Sequence, residues 1–222
     1  MPVLDKLDTA TSLTDQAHRS IKRFILAGSL DTDERLTESF FADRLGISKS
    51  PVREALNALQ NEGLLRIEPR RGIFIHRFSA KEITDLYELR EALEVFATQT
   101  VDITPKLVRA LRESVERTEQ LLTQNHKPAY IEEDISFHRL IVTGTGNDQL
   151  SRVHSNIQDK LWLCRCQTYQ LTSPDTPSAH KTITESLASH DRNAAREATQ
   201  THIHFVRNAL LAGIETAHKV QF

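Results

Sequence analysis

An aspartate and a histidine, Asp134 and His138, lie four positions apart in the second half of the chain. Residues at positions i and i+4 project from the same face of a helix. Ile131, Ile135 and Ile141 supply apolar positions nearby, which predicts that the pair faces inward. A carboxylate and an imidazole on one face form a two-ligand platform for a divalent cation. Of ten histidines eight lie beyond residue 125, and spacing alone does not select the remaining ligands among them.

A second pair of charged residues, Arg90 and Glu94, is also four positions apart and can form an ion pair within one helix. This pair remains open to two interpretations. It is either a salt bridge at the boundary of the core, or Arg90, with Glu94 beside it, faces an internal cavity and binds a ligand carboxylate. The surrounding segment predicts an amphipathic helix with a core-facing apolar stripe, made of Ile83, Leu86, Leu89, Leu93, Phe96 and Ala97.

The elements that must position these residues follow from apolar spacing and from the breaks between periodic segments. Helices are predicted over 13–27, 37–45 and 48–61, followed by strands over 64–68 and 73–77. Beyond Ser79, helices are predicted over 80–101, 104–125, 128–144, 147–171, 176–189 and 191–218. We therefore predict a mostly α protein with a poorly ordered N-terminus (1–12), a winged helix-turn-helix of three helices and a two-stranded wing (13–78), and an all-helical domain (79–222).

A winged helix-turn-helix places its second motif helix in the major groove of DNA, with the first residues of that helix against the base edges. The candidate DNA contacts are therefore at this helix start and at the tip of the hairpin: Ser48, Lys49, Ser50 and Arg53, with Arg70, Arg71 and Gly72. Residues 44–77 hold seven Lys/Arg and three Asp/Glu, whereas residues 79–222 hold sixteen and nineteen. A basic segment on an acidic body suits a DNA-binding head.

The motifs Leu36-Thr37-Glu38-Ser39, 42–56 and 59–64 strongly resemble the GntR family of bacterial regulators. The resemblance covers residues 13–78 and implies a dimer that binds a short, roughly palindromic operator. Lys49 stands where the family usually has arginine, which keeps the charge but loses the bidentate fork that suits guanine. Ser39 stands where other branches of the family have a DNA-contacting arginine, and it is therefore a weaker candidate contact.

Residues 80–215 resemble the FadR-type ligand-binding domain (FCD) of GntR regulators, a bundle of six or seven helices. The motifs that carry this resemblance are Asp134-x-x-Phe137-His138, His180-Lys181-x-Ile183, Ala195-x-x-Ala198-x-x-x-His202 and the segment 87–94. The resemblance implies a divalent metal, with zinc as the first candidate and nickel or manganese as alternatives, held by Asp134, His138, His180 and His202. Ala179 and His190 depart from the family's usual Glu and Gly. Trp162 and Arg165 either line the ligand pocket or have the commoner packing and surface roles. His154, His190 and His218 are expected to be surface or packing residues.

These features predict a cytoplasmic, homodimeric transcriptional repressor that binds operator DNA and a small effector, an organic acid bound near the metal. No apolar run approaches the roughly 20 residues that span a bilayer, so no membrane partner is expected. Two alternatives remain. The metal and its open positions could activate water in an enzyme, although no further general base is evident, or the metal could be purely structural.

Overall fold

The computed structural model describes residues 12–27, 33–167 and 174–220; for Gln167 and for 215–220 it describes the backbone alone. The chain forms two compact units that divide between Arg77 and Phe78, one residue before the predicted boundary. Most of the predicted poorly ordered N-terminus, 1–11, lies outside the described residues, as do 168–171 of the predicted helix 147–171. Within the described residues no helix is long and apolar enough to cross a membrane.

The first unit contains the predicted three helices and two-stranded wing. The elements are α1 (Leu13–Leu26), α2 (Glu38–Leu45), α3 (Lys49–Asn61), β1 (Leu65–Glu68) and β2 (Gly72–Ile75). Ser12 and Thr37 accept backbone N–H hydrogen bonds at the starts of α1 and α2, which satisfies donors that have no partner within the helix. Gly46 ends α2 in the left-handed region, at φ 65°, where glycine carries no Cβ penalty.

The wing is an antiparallel pair in which Leu65 lies opposite Ile75 and Glu68 opposite Gly72. Leu36 adds an isolated bridge to Ile73, so the segment before α2 is tied to the second strand of the wing. The buried side chains of this unit come from all of its elements: Ile21, Ile25, Leu36, Phe41, Leu56, Leu59, Leu64, Leu65 and Ile73 are each exposed by 4% or less.

The second unit is the predicted helical bundle. Its elements among the described residues are α4 (Ala80–Thr100), α5 (Pro105–Thr123), α6 (Lys127–Thr143), α7 (Asp148–Gln167), α8 (Thr176–Ala188) and α9 (Arg192–Val220). Ser79 and Glu82 form a capping box at the start of α4, and Pro105 opens α5 at a position where its missing N–H costs little. An apolar core of residues from α4 to α9, including Val101, Leu111 and Ile183, holds the bundle together.

The predicted orientation of α4 is wrong in part. Leu89 and Phe96, which were expected in the core, are 41% and 49% exposed. The buried face instead carries Tyr87, Arg90 and Glu94, together with Ile83, Ala97 and Thr98. This orientation is possible because α4 packs against α6, α7 and α9, and helices α6 and α7 supply partners for the charged groups. A charged side chain tolerates burial when it is paired and hydrogen-bonded.

Candidate metal centre and nucleic-acid interface

Three helices bring the four predicted metal ligands together in the bundle. Helix α6 carries Asp134 and His138, α8 carries His180 and α9 carries His202. The neighbours of Asp134 and His138 on α6 are largely apolar and buried, so burying this face also buries the two ligands. Each of the four side chains is 2% exposed or less. Helical spacing places the first two ligands, but only packing against α8 and α9 supplies the others.

The donor atoms of the four side chains all lie within 4.8 Å of one another. The Nε2 atom of His138 is 3.2 Å from the Nε2 atoms of both His180 and His202, and Asp134 Oδ1 is 3.3 Å from His180 Nε2. A single N–H hydrogen among these four atoms can be donated to only one acceptor at a time, so the lone pairs of the others stay unsatisfied. Asp134 Oδ1, which faces these nitrogens, also has no hydrogen-bond partner. Buried acceptors that converge without donors fit a bound cation.

The electrostatics of the cluster keep Asp134, His138 and His202 in the protonation states that a metal needs. Burial lowers the pKa of His138 to about 4, although the charge of Glu94 opposes the shift. Burial together with the neighbouring His180 and His138 takes the pKa of His202 well below its usual value. Burial alone would raise the pKa of Asp134, but Arg165 and His180 outweigh it and leave that pKa well below its usual value. Neutral imidazoles and an ionised carboxylate are the forms that ligate metals.

Glu94 is the hub of a buried polar network beside the cluster. Its Oε1 atom accepts hydrogen bonds from Arg90 Nε at 2.8 Å and Gln158 Nε2 at 3.1 Å, and lies 2.9 Å from His154 Nε2. Its Oε2 atom lies 2.8 Å from His138 Nδ1. Two lone pairs at that separation would repel each other, so the carboxylate favours the tautomer of His138 with its proton on Nδ1 and the lone pair of Nε2 toward the cluster.

The structure therefore places the sequence-predicted pair Arg90 and Glu94 in the interior, where they form a salt bridge beside the candidate metal site. His154, expected to be a surface or packing residue, is 1% exposed and belongs to this network with Gln158. Sequence reasoning missed the role of both residues. The two residues are four positions apart on α7, which predicts a shared helix face, but polar pairs at this spacing are too common on helices to indicate a buried network.

Arg165 lies at the cluster as the sequence suggested, and its Nη1 atom pairs with Asp134 Oδ2. This contact uses one carboxylate oxygen and leaves Oδ1 toward the histidines. Trp162 packs instead against the apolar group that contains Tyr130 and Ile131. His204, two residues beyond His202, points away from the cluster and contacts Glu91 at 2.6 Å.

A groove of about 540 Å³ lies between α8 and α9, and His202 forms part of its lining. Most of the other lining residues are small, among them Ala179, Thr182, Ala198 and Thr201. Ala179 is the position at which the resembled family usually has glutamate, so this groove lacks the carboxylate that would otherwise face it. Its volume lies within the range of small-molecule sites.

In the first unit, Ser48, Lys49 and Ser50 are exposed at the start of α3. The side chain of Ser48 makes no capping hydrogen bond, so its hydroxyl is not committed to the helix. Arg53 is exposed one turn later, but it forms a bidentate ion pair with Glu38 at 2.7 and 2.8 Å. Ser39 is half-buried in α2. The helix start therefore presents hydroxyls and one ammonium group, as a phosphate or a base edge requires.

The wing tip presents Arg70 and Arg71 to solvent. Arg70 has φ 64°, and Arg71 forms an ion pair with Glu68 at 2.6 Å. Gly72 has φ 132°, and a Cβ there would lie 2.8 Å from Arg35 Cγ and 3.1 Å from the backbone oxygen of Leu36. The sequence assigned this glycine to DNA contact. In the structure its missing side chain already serves a close approach within the unit.

Comparison with known proteins gives two domain matches that cover most of the chain. Residues 13–75 match the model of the bacterial regulatory proteins of the gntR family. Residues 85–205 match the FCD domain.

Among curated proteins, the chain is 27% identical over 202 residues to the HTH-type transcriptional regulator YdhC of Bacillus subtilis, which covers 89% of this chain and 90% of YdhC. It is 24% identical over 215 residues to the HTH-type transcriptional repressor GlaR of Escherichia coli, and this match covers 88% of this chain and 93% of GlaR. A solved GntR regulator from Rhodococcus superposes with a TM-score of 0.80 at 21% identity, over 90% of this chain and 97% of that one.

Proposed function

The chain belongs to the GntR family of bacterial transcriptional regulators and carries an FCD domain; from this premise we propose that it is a cytoplasmic repressor whose operator affinity is set by a small carboxylate effector bound beside a divalent metal ion. It is a transcriptional regulator and not an enzyme. Repression is supported by relatives such as GlaR, which is named a transcriptional repressor.

The single observation that carries the proposal is the buried cluster of Asp134, His138, His180 and His202 in the helical unit. One hard carboxylate and three imidazoles suit zinc, and also nickel or manganese. When bound, the metal supplies a positive centre that attracts the carboxylate of an effector. The protein's part is to hold four donors in place, to keep the imidazoles of His138 and His202 neutral, and to leave Arg90 as a second cationic group near the same site.

Operator binding is assigned to the exposed groups of the first unit. Lys49 at the start of α3 and Arg70 at the wing tip are the cations that we expect to contact DNA, together with Ser48, Ser50 and Arg71. Arg53 can join them only if it exchanges Glu38 for a phosphate or a base. We rank Gly72 and Ser39 below these residues, because the first packs against Arg35 and the second is half-buried.

We further propose that the functional protein is a homodimer joined through α4. Leu86, Leu89, Leu93 and Phe96 follow one another at spacings of three, four and three, which is the repeat of a helix–helix seam. Leu89 and Phe96 are exposed in the single chain. A dimer presents two heads to the two halves of a palindromic operator, which lie one helical turn, about 34 Å, apart. An effector that changes the spacing of the heads would therefore change operator affinity.

The test begins with elemental analysis of the purified protein beside a His138→Ala/His180→Ala variant. His204→Ala is the matched control, because His204 points away from the cluster and contacts Glu91. We expect close to one metal ion per chain in the parent and in the control, and none in the double variant. Absence of metal from the parent after loading with zinc, nickel or manganese would rule out the metal centre.

The second half of the test measures operator affinity of the metal-loaded protein with and without candidate organic acids. A change in affinity that is lost in the double variant supports control by the effector. If the variant unfolds while no acid alters the operator affinity of the parent, the metal is structural and the regulatory part of the proposal is wrong.

A further inference from the structure

Two of the four predicted metal ligands are covered by charged groups of the surrounding helices. Arg165 Nη1 pairs with Asp134 Oδ2, and Glu94 Oε2 lies 2.8 Å from His138 Nδ1. Both covering side chains are themselves buried. A metal ion that reached the cluster from either of these sides would first have to open a buried, charged contact, which is costly.

The other two ligands, His180 and His202, differ in what lies outside them. The ring of Phe137 stacks on His180, with 3.9 Å between the ring centroids and an interplanar angle of 5°, and Phe137 is fully buried. His202 instead lines the groove of about 540 Å³ between α8 and α9, and among the described residues it is the only one of the four ligands that does so. The cluster is therefore open to the surface of the helical unit on the side of His202.

The lining of this groove has the chemistry that a cation requires. Asp175 and Glu197 supply carboxylates, and Ser178, Thr182 and Thr201 are among the residues that supply hydroxyls. None of the described residues that line the groove is lysine or arginine. Carboxylate, hydroxyl and water oxygens suit divalent cations in transit, whereas an anion would find no positively charged side chain here.

The covered ligands and the oxygen-rich groove indicate the same role. Resting on the proposed function, we propose that the α8–α9 groove is the route by which the divalent metal ion enters and leaves the cluster. His202 is the ligand that the ion meets first on entry and releases last on exit. Because capture and release follow the same path, an obstruction in the groove changes both rates and leaves the dissociation constant unchanged.

Thr182→Trp tests the route by obstruction. Thr182 lines the groove and is exposed on α8, so a larger side chain there enters the groove and not the core. Lys181→Trp is the matched control, because Lys181 is also exposed on α8 but does not line the groove. Stopped-flow mixing of the full-length protein measures zinc capture by the metal-free form and zinc release to a chromophoric chelator.

We expect capture and release to slow about tenfold or more in Thr182→Trp, because the indole must move aside before the ion can pass and a modest rise in a barrier changes a rate by this factor. The zinc dissociation constant of Thr182→Trp should equal that of the parent, and Lys181→Trp should exchange zinc at the parent's rate. Exchange at the parent's rate in Thr182→Trp, or equal slowing in Lys181→Trp, would overturn the proposal.

A second variant tests the charge of the groove without adding bulk. Asp175→Asn combined with Glu197→Gln removes both carboxylates; Glu197 contacts only its neighbour Arg196, at 3.4 Å and at an exposed position, so little stability is lost. Zinc capture should be about threefold or more slower at low ionic strength, and the difference should shrink at about 1 M salt. Glu116→Gln combined with Glu119→Gln, both exposed on α5, should capture zinc as the parent does. Equal capture rates in the groove variant and the parent at low salt would overturn the role of these carboxylates.

These results separate the route from the proposed function. A parent protein that holds no metal after loading refutes the metal centre, and this inference with it. A parent that holds metal but exchanges it at the same rate as Thr182→Trp refutes the route alone and leaves the metal centre in place.

Discussion

Replacing Glu94 with glutamine changes one heavy atom in the support of the candidate metal site. The Oε1 atom of Glu94 is surrounded by Arg90, His154 and Gln158, and Oε2 lies 2.8 Å from His138 Nδ1. An amide NH₂ at the Oε2 position would present a hydrogen to Nδ1 and drive the imidazole proton to Nε2, where a metal needs a lone pair. At the Oε1 position it would oppose the donors of Arg90 and Gln158. The first orientation impairs the cluster directly, and the second disrupts the network that holds residue 94 against His138.

Two magnitudes follow for Glu94→Gln. Loss of a carboxylate that orients a metal-bound histidine typically costs 10- to 100-fold in metal affinity, which is about 1.4–2.7 kcal/mol. The variant also leaves the Arg90 charge buried without its ion-pair partner, which typically lowers the free energy of unfolding by about 3–5 kcal/mol. Glu94→Asp separates the two effects. It keeps the charge near Arg90 but withdraws the carboxylate from His138 by about one carbon–carbon bond, roughly 1.5 Å.

The assay is competition with a chromophoric zinc chelator, paired with urea unfolding of the metal-free protein. We expect zinc affinity to fall about tenfold or more in both variants, and stability to fall far more in Glu94→Gln than in Glu94→Asp. Glu91→Gln is the control, because Glu91 bonds to Gln200 and His204 at a partly exposed position; its zinc affinity should equal that of the parent. A folded Glu94→Gln protein with the parent's zinc affinity would refute the orienting role of this carboxylate.

Three further outcomes are expected. Lys49→Ala should weaken operator binding about tenfold and should reduce the slope of log K against log salt concentration by about one. If a fluorescence-anisotropy titration of the variant matches that of the parent, Lys49 does not contact the operator. Leu89→Glu combined with Phe96→Glu should convert a dimer to a monomer in sedimentation, whereas a dimer that persists would exclude the α4 seam. His190→Gly should raise the free energy of unfolding by about 1 kcal/mol, because His190 has φ 60° after α8. Ser189→Gly, at φ −83°, should give no such gain in urea unfolding.

The elements of this protein were largely predictable because they depend on local patterns. Helical spacing and breaks at glycine and proline place both units and the wing, with helix ends that differ from the structure by a few residues. Asp134 and His138 were found by the same means, since a spacing of four residues fixes a common face. His180 and His202 could not be chosen from ten histidines by spacing, and they were selected by family resemblance alone.

The orientation of α4 shows why the remainder could not be read from sequence. Apolar periodicity assigns Leu89 and Phe96 to the core, but the buried face carries Arg90 and Glu94. Hydrophobicity scales count a charged side chain as exposed, because they do not include the partners that compensate its burial. Those partners, His138 and His154, lie 44 and 60 residues beyond Glu94 in the chain.

The sequence by itself determined the helices, the wing and the shared face of Asp134 and His138, because each rests on interactions between residues close in the chain. Only the tertiary structure decided which face of α4 is buried, that Glu94 supports His138, and that His202 lines the groove between α8 and α9. Those properties depend on contacts between helices distant in sequence, and the burial cost of a charge is set by such contacts.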